Sequence, residues 1–177
     1  PSKEAIRQTI ARSKAPIIAS HSGARALSDH PRNLDDEQLQ WVKESRGVVQ
    51  AVALANFVNK EKHTKYRAAI KTLEDPSDES ALAQIKKAHP PVNVADFVDH
   101  IDYIKNKIGI DHIGISSDFD GGGGIEGWED ASKTFNVTLE MVKRGYTEEE
   151  IAKIWSGNLL RVLDETSEVA KKLQKGE

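Results

Sequence analysis

The sequence contains no cysteine, which excludes disulfide bonds, thiolate metal ligands and a cysteine nucleophile. It has no apolar run close to the roughly 18–20 residues of a membrane-spanning helix, so no segment is predicted to cross a bilayer. An excess of basic charge is also lacking, because 25 Lys and Arg stand against 28 Asp and Glu, for a formal net charge of -3. Nucleic-acid binders depend on a basic surface, so the composition argues against that class of function.

The chain starts Pro1-Ser2-Lys3-Glu4, without a methionine or a signal-like segment. We expect Pro1 to be a processed end or a cut inside a longer protein. The 177 residues match the length of one ordinary domain. Hydrophobic residues make up 38% and charged residues 30% of the chain, a balance typical of a globular protein rather than a disordered one.

Strands and helices alternate along most of the chain. Short apolar segments predict buried parallel strands at residues 15–21, 48–57 and 112–117. Helices are predicted to start after the capping residues Ser2, Asp35, Asn93 and Thr147. This alternation predicts right-handed βαβ units around a parallel sheet, so the fold class is α/β.

Residues 59–92 interrupt the alternation. They are rich in both basic and acidic side chains and end in Pro90-Pro91. Because the acidic residues are interleaved with the basic ones, we interpret the segment as a solvated helical insertion that could act as a lid, rather than as a basic binding patch.

Only three strands are indicated, whereas a closed (β/α)8 barrel takes about 250 residues. The pattern therefore predicts part of a larger α/β fold.

In parallel α/β folds, polar residues at the carboxyl ends of strands are the first candidates for a site. The first predicted strand ends at Ser20-His21-Ser22, the second at Asn56, and the third at Asp118-Phe119-Asp120-Gly121. His21 fits a metal ligand or general base, and equally a hydrogen-bonded structural histidine. Asp118 and Asp120 are expected to alternate on an extended segment and point to opposite sides, with turn chemistry before the glycines as the alternative.

Arg32 lies in the loop after the first strand, where its guanidinium could bind a substrate carboxylate with two hydrogen bonds, or form a surface ion pair. The glycine run that starts at Gly121 lacks the Lys-Ser/Thr of a phosphate-binding loop. The other histidines have no helical i,i+4 partner of the kind that marks a metal site, and we treat them as structural or exposed; they are His30, His63, His89, His100 and His112.

Several segments, taken in order, resemble the renal (membrane) dipeptidase family of zinc metallopeptidases, and bacterial members in particular. They are Ala15-Pro16-Ile17-Ile18-Ala19-Ser20-His21-Ser22, His30-Pro31-Arg32-Asn33, Asp99-His100-Ile101-Asp102-Tyr103-Ile104, Gly109-Ile110-Asp111-His112-Ile113-Gly114-Ile115, Ser117-Asp118-Phe119-Asp120-Gly121 and Gly157-Asn158-Leu159-Leu160-Arg161-Val162. The resemblance implies a (β/α)8 barrel with two zinc ions, in which zinc lowers the pKa of bound water toward about 7 for dipeptide hydrolysis.

The resemblance also implies residue roles. His21 matches a zinc-ligand histidine, and Arg32 matches the arginine that binds the C-terminal carboxylate of the dipeptide. Asp118 matches the aspartate near the substrate amino group, which is also proposed to handle the proton.

The family's remaining metal ligands have no counterpart here, since they belong to the N-terminal part of its barrel. We therefore expect residues 1–177 to be the C-terminal portion of one barrel domain, about its last three βα units, with residues 59–92 inserted in it. One ligand cannot make a zinc site, so the chain alone should be inactive unless the N-terminal part, possibly on another chain, completes it. Whether the protein forms a homodimer stays open, and so does its location, either the bacterial envelope or the cytoplasm. The alternatives are an amidohydrolase-type barrel acting on another amide or lactone, and a catalytically dead binding module.

Overall fold

A computed structural model describes residues 2–176 as a three-stranded parallel sheet with helices packed against it. Pro1 lies outside this range, so the prediction that Pro1 is a processed end or a cut falls outside the described residues. The strands are β1 (Ile18–Ser22), β2 (Val48–Val52) and β3 (Ile113–Ser116). The helices are α1 (Lys3–Arg12), α2 (Asp36–Glu44), α3 (Ala55–Val58), α4 (Lys60–Ile70), α5 (Glu79–Ala88), α6 (Val94–Ile108), α7 (Phe135–Lys143), α8 (Glu148–Ala152) and α9 (Asn158–Gln174).

The sheet order is β1-β2-β3, and both pairings are parallel. The predicted α/β class with a parallel sheet is confirmed. Each parallel crossover passes through helices, α2 between β1 and β2 and α3–α6 between β2 and β3. This connection places the carboxyl ends of all three strands at one edge of the sheet.

All four predicted helix starts are confirmed. Ser2 caps α1 through its side chain, and the other three helices start with complete capping boxes, in which side chain and backbone hydrogen bond reciprocally. These signals are local, because a capping side chain satisfies amide groups only two or three residues away.

The second strand was predicted too long. The prediction ran to Phe57, but β2 ends at Val52 and Ala55–Val58 forms the short helix α3. Phe57 and Val58 are only 4% and 3% exposed. The apolar residues of this segment therefore indicated that it is buried, and not that its backbone is extended.

Residues 59–92, predicted as a solvated helical insertion, are helical over most of their length and end in two buried residues, Pro91 and Val92. The segment folds as α4 and α5, and neither helix contains a buried residue.

The core lies between the sheet and the helices α2 and α6. It includes Val49 and Ala51 of β2, Leu39 of α2, and Phe97 and Ile101 of α6, all with no measurable exposure. Other apolar side chains remain uncovered, among them Ile18 on β1 at 43% exposure and Phe135 on α7 at 69%. No helix within residues 2–176 combines the length and apolar character that crossing a membrane requires.

Candidate functional site

His21 and Asp118 meet at the carboxyl edge of the sheet. His21 is the fourth residue of β1, and Asp118 follows the end of β3 by two residues. Their side chains reach toward each other across the end of β2, with 3.7 Å between His21 Nε2 and Asp118 Oδ1. Both are partly exposed, at 39% and 24% of their side-chain surface. Two groups that are far apart in sequence therefore form one polar pair that is open to a ligand.

The backbone at Asp118 differs from the predicted extended segment. Asp118 adopts a left-handed conformation with φ 56° and ψ 32°, and Phe119–Gly121 forms a turn of 3-10 helix. The extended backbone expected for Asp118 to Asp120 is therefore wrong. Asp118 points to His21, while Asp120 is exposed. Turn chemistry, the other interpretation of this segment, describes its backbone correctly.

The glycines after Asp118 are what permits this turn. The Asp118 carbonyl accepts hydrogen bonds from the amides of Gly121 at 3.0 Å and Gly123 at 2.7 Å. A Cβ atom on Gly121 would lie 2.3 Å from Asp118 Oδ1, and one on Gly123 would lie 2.1 Å from the Ser117 carbonyl oxygen. Side chains at these two positions would displace the carboxylate itself or the backbone that carries it.

Arg32 stands in the loop that follows β1. Ser22 Oγ donates to its carbonyl oxygen at 2.7 Å, and its amide donates to His30 Nδ1 at 3.3 Å. The guanidinium carbon lies 5.1 Å from the centre of the Phe57 ring. Among residues 2–176, no carboxylate forms an ion pair with Arg32. The surface ion pair that was the alternative for this residue is therefore not formed within that range.

The three predicted site residues, His21, Arg32 and Asp118, are not all in mutual contact. His21 and Arg32 line one cavity of about 230 Å³, which is bounded by β1, the loop after it and the helices α1 and α2, and Asp118 lies outside its lining. Asn56, named as the polar residue at the end of the second strand, lies on α3 and makes no side-chain hydrogen bond within the described part of the chain. The ring of its neighbour Phe57, in contrast, lies against Arg32.

Two buried polar side chains fix the loop that carries Arg32. His100, only 2% exposed, accepts the Ala24 amide at Nδ1 (2.9 Å) and donates from Nε2 to the Val58 carbonyl oxygen (2.8 Å). Asn33, 1% exposed, donates its amide to the carbonyl oxygens of Ser28 (2.9 Å) and Phe57 (2.8 Å). These bonds join the loop after β1 to the segment after β2.

His100 is confirmed as a structural histidine, although sequence alone could not separate it from the exposed ones. Burial lowers the pKa of His100, and the hydrogen bond to Val58 and the charges of Asp99 and Asp96 offset only part of that effect. The pKa values of His30 and His63 are also lowered, first by burial and in addition by nearby cations.

Stability should therefore fall in mildly acidic solution. A histidine whose folded-state pKa is lowered binds a proton more readily in the unfolded chain. The free energy of unfolding should be highest above the unfolded-state pKa of about 6.5 and decrease as the pH falls below it. Urea unfolding between about pH 8 and pH 5 measures this decrease.

A His100→Gln variant isolates the contribution of His100 to that pH dependence. We expect it to lose about 1–3 kcal/mol at pH 8, because a buried group loses its partner, and to show a flatter pH dependence. His89→Gln is the matched control, because His89 is exposed. If the free energy of unfolding of His100→Gln depends on pH as steeply as that of the unsubstituted chain, His100 does not contribute to the pH dependence.

The metal-binding side chains of residues 2–176 do not make a complete metal site. Within residues 2–176, no three His, Cys, Asp or Glu side chains lie close enough together to hold a metal ion. His21 and Asp118 alone fall short of the three or four ligands that zinc requires.

Known proteins resemble this chain over nearly its full length. The profile of the membrane dipeptidase family, peptidase family M19, matches residues 1–177. Dipeptidase tcpJ of Claviceps purpurea is 36% identical over 176 residues, which cover 99% of this chain and 35% of the fungal protein. The crystal structure of the probable dipeptidase PvdM from Pseudomonas aeruginosa aligns with a TM-score of 0.75 at 41% identity, over 93% of this chain and 48% of that one.

A second solved structure is a metallo peptidase from Rhodobacter sphaeroides, liganded with a phosphinate mimic of the dipeptide L-Ala-D-Ala. It aligns with a TM-score of 0.73 at 25% identity, over 93% of this chain and 40% of that one. The chain thus spans about a third of the length of the curated relative and less than half of the two solved proteins. Since the family profile extends over every residue from 1 to 177, the chain belongs to the membrane dipeptidase family, peptidase family M19.

Proposed function

We propose that this chain supplies part of the active site of a zinc-dependent enzyme that hydrolyses dipeptides. The observation that carries the proposal is the meeting of His21 and Asp118, whose Nε2 and Oδ1 atoms lie 3.7 Å apart at the carboxyl edge of the sheet. Active sites of parallel α/β folds form at this edge. Family membership and the dipeptide mimic bound by the Rhodobacter relative support the substrate class.

The chain is proposed to be the C-terminal portion of one (β/α)8 barrel domain, with residues 59–92 inserted in it. Within residues 2–176, β1 and β3 each pair only with β2, so both outer strands have a free edge. An exposed strand edge offers unpaired backbone groups to other chains, and native proteins commonly cover, pair or blunt it. Leu160 and Leu163 of α9 are 53% and 59% exposed, although apolar side chains of this helix would normally be covered. The N-terminal part of a barrel, on the same chain or on another, would cover these edges and side chains.

The side chains have distinct proposed roles. Arg32 binds the C-terminal carboxylate of the dipeptide, since a guanidinium can pair with a carboxylate through two parallel hydrogen bonds. Asp118 faces the substrate amino group and holds or transfers a proton there. His21 contributes one zinc ligand through Nε2, because its Nδ1 lies 2.9 Å from Ser20 Oγ. The remaining metal ligands must come from outside residues 2–176, where the donor set is too small.

The direct test compares the chain alone with the chain joined to, or mixed with, the rest of the barrel. Dipeptide hydrolysis with added zinc should stay at the level of the protein-free blank for the 177-residue chain and appear once the barrel is complete. Full turnover by the chain alone would refute the partial-barrel assignment. A complete barrel that cleaves other amides or lactones but no dipeptide would refute the substrate class.

A further inference from the structure

The Phe57 ring contacts two side chains of the loop that carries Arg32. Phe57 lies on α3 directly after β2 and is 4% exposed. The His30 ring stacks on it at 3.8 Å between centroids with a 28° interplanar angle. The Arg32 guanidinium carbon lies 5.1 Å from the Phe57 centroid, within the range of a cation–π contact. One buried ring therefore supports both side chains.

The backbone of both partners is fixed as well. The Asn33 side chain donates to the Phe57 carbonyl oxygen at 2.8 Å, and Ser22 Oγ donates to the Arg32 carbonyl oxygen at 2.7 Å. Ring and guanidinium thus stand on backbone segments that are hydrogen-bonded to the rest of the fold. A rigid aromatic side chain on such a support loses little entropy when it orders a flexible neighbour.

Arg32 and Arg144 are held by different kinds of contact. Arg144 is held by three carboxylates, with Nη1 at 2.7 Å from both Asp99 and Asp102 and Nε at 2.9 Å from Glu140. Those carboxylates use up hydrogen-bond donors and offset the positive charge of Arg144. In contrast, Arg32 lies beside an aromatic ring. Within residues 2–176 its guanidinium donates no hydrogen bond to a protein oxygen and forms no ion pair, so its N–H groups are available to an incoming anion.

We propose that Phe57 is a positioning residue that holds the Arg32 guanidinium in place for the carboxylate of the substrate. The inference rests on the proposed function for the identity of that carboxylate, the C-terminal group of a dipeptide. Pre-organisation of this kind improves binding, because the arginine no longer has to be ordered when the substrate arrives. The effect should appear in substrate binding and leave the chemical step almost unchanged.

Solution NMR of the 177-residue chain tests the contact itself. The Arg32 Nε–Hε signal, assigned by its loss in Arg32→Lys, should be shifted upfield by the ring current of Phe57 relative to exposed arginines such as Arg12. The shift should vanish in Phe57→Leu and persist in Phe57→Tyr, which keeps the aromatic face. An Arg32 signal at the position of Arg12 in the unsubstituted chain would overturn the proposal without any variant.

Kinetics of the complete barrel test whether the contact with Phe57 improves substrate binding. With L-alanyl-L-alanine as substrate, Phe57→Leu should raise KM about 3- to 10-fold and leave kcat within about two-fold, the size expected for one cation–π contact. Phe57→Tyr should restore KM. Phe135→Leu is the matched control, since Phe135 lies on α7 and its ring forms no cation–π contact with Arg32. A lower kcat with unchanged KM, or no change at all, would overturn the positioning role.

The two experiments separate the possible failures. If the complete barrel hydrolyses no dipeptide, the proposed function fails, while the NMR shift still reports whether Phe57 holds Arg32. L-Alanyl-L-alanine titrated into the 177-residue chain should then move the Arg32 signal, whereas its C-terminal amide should not. If the amide moves the signal equally, Arg32 does not select a carboxylate and the inference is wrong.

Discussion

Asp118→Asn is expected to lower the kcat of the complete barrel about 10²- to 10⁴-fold, the usual contribution of a positioned acid–base group. Asparagine keeps the shape of the side chain and tolerates the left-handed backbone of this position, where φ is 56°. The fold should therefore survive while the carboxylate charge and its ability to hold a proton are lost. Steady-state hydrolysis of a dipeptide, with zinc content measured in parallel, checks this result.

Asp120→Asn provides the matched control for this prediction. Asp120 lies two residues further along the same turn, but it is exposed and forms no ion pair with His21. The substitution should leave kcat within about two-fold of the unsubstituted enzyme. Equal losses in both variants would mean that the turn, and not the Asp118 carboxylate, determines activity. Loss of zinc from Asp118→Asn would instead place Asp118 among the metal ligands.

Those parts of the fold that depend on local chemistry could be predicted from the sequence. The helix starts at Ser2 and Asp35 were predicted because each side chain bonds to an amide within its own turn. The strand-end rule placed His21 and Asp118 at the same edge, and the fold brings them to 3.7 Å. This success follows from parallel topology, which fixes where strands end before any side-chain packing is known.

Features that depend on contacts between distant segments could not be predicted in the same way. Phe57 was placed in a strand because it is apolar, yet it lies on the short helix α3 with its ring 5.1 Å from the Arg32 guanidinium carbon. His100 looked like the exposed histidines, because its two partners, Ala24 and Val58, are 76 and 42 residues away. The left-handed turn at Asp118 was one of two interpretations, and only the close approach of the glycines to Ser117 and Asp118 decides it.

Gly123→Ala should be the most damaging of the small substitutions in the turn that carries Asp118. Its Cβ atom would lie 2.1 Å from the Ser117 carbonyl oxygen and 2.6 Å from that of Asp118, and both obstacles are backbone atoms that cannot rotate away. We expect a loss of about 1–3 kcal/mol in the free energy of unfolding, as for other overpacked sites. A backbone shift of about 1 Å at Asp118 would also cost about 10²-fold in turnover.

Gly157→Ala separates this steric effect from a general intolerance of glycine replacement. Gly157 has helical backbone angles, with φ -55° and ψ -44°, and the nearest atom to a Cβ there is 3.4 Å away. Alanine is favoured over glycine in a helix by up to about 1 kcal/mol, so this variant should be as stable as the unsubstituted chain or slightly more stable. Thermal unfolding and dipeptide hydrolysis measured on both variants give the comparison. If Gly123→Ala matches Gly157→Ala in thermal stability and in dipeptide hydrolysis, the turn is flexible enough to move aside. Its glycines then do not hold Asp118 against His21.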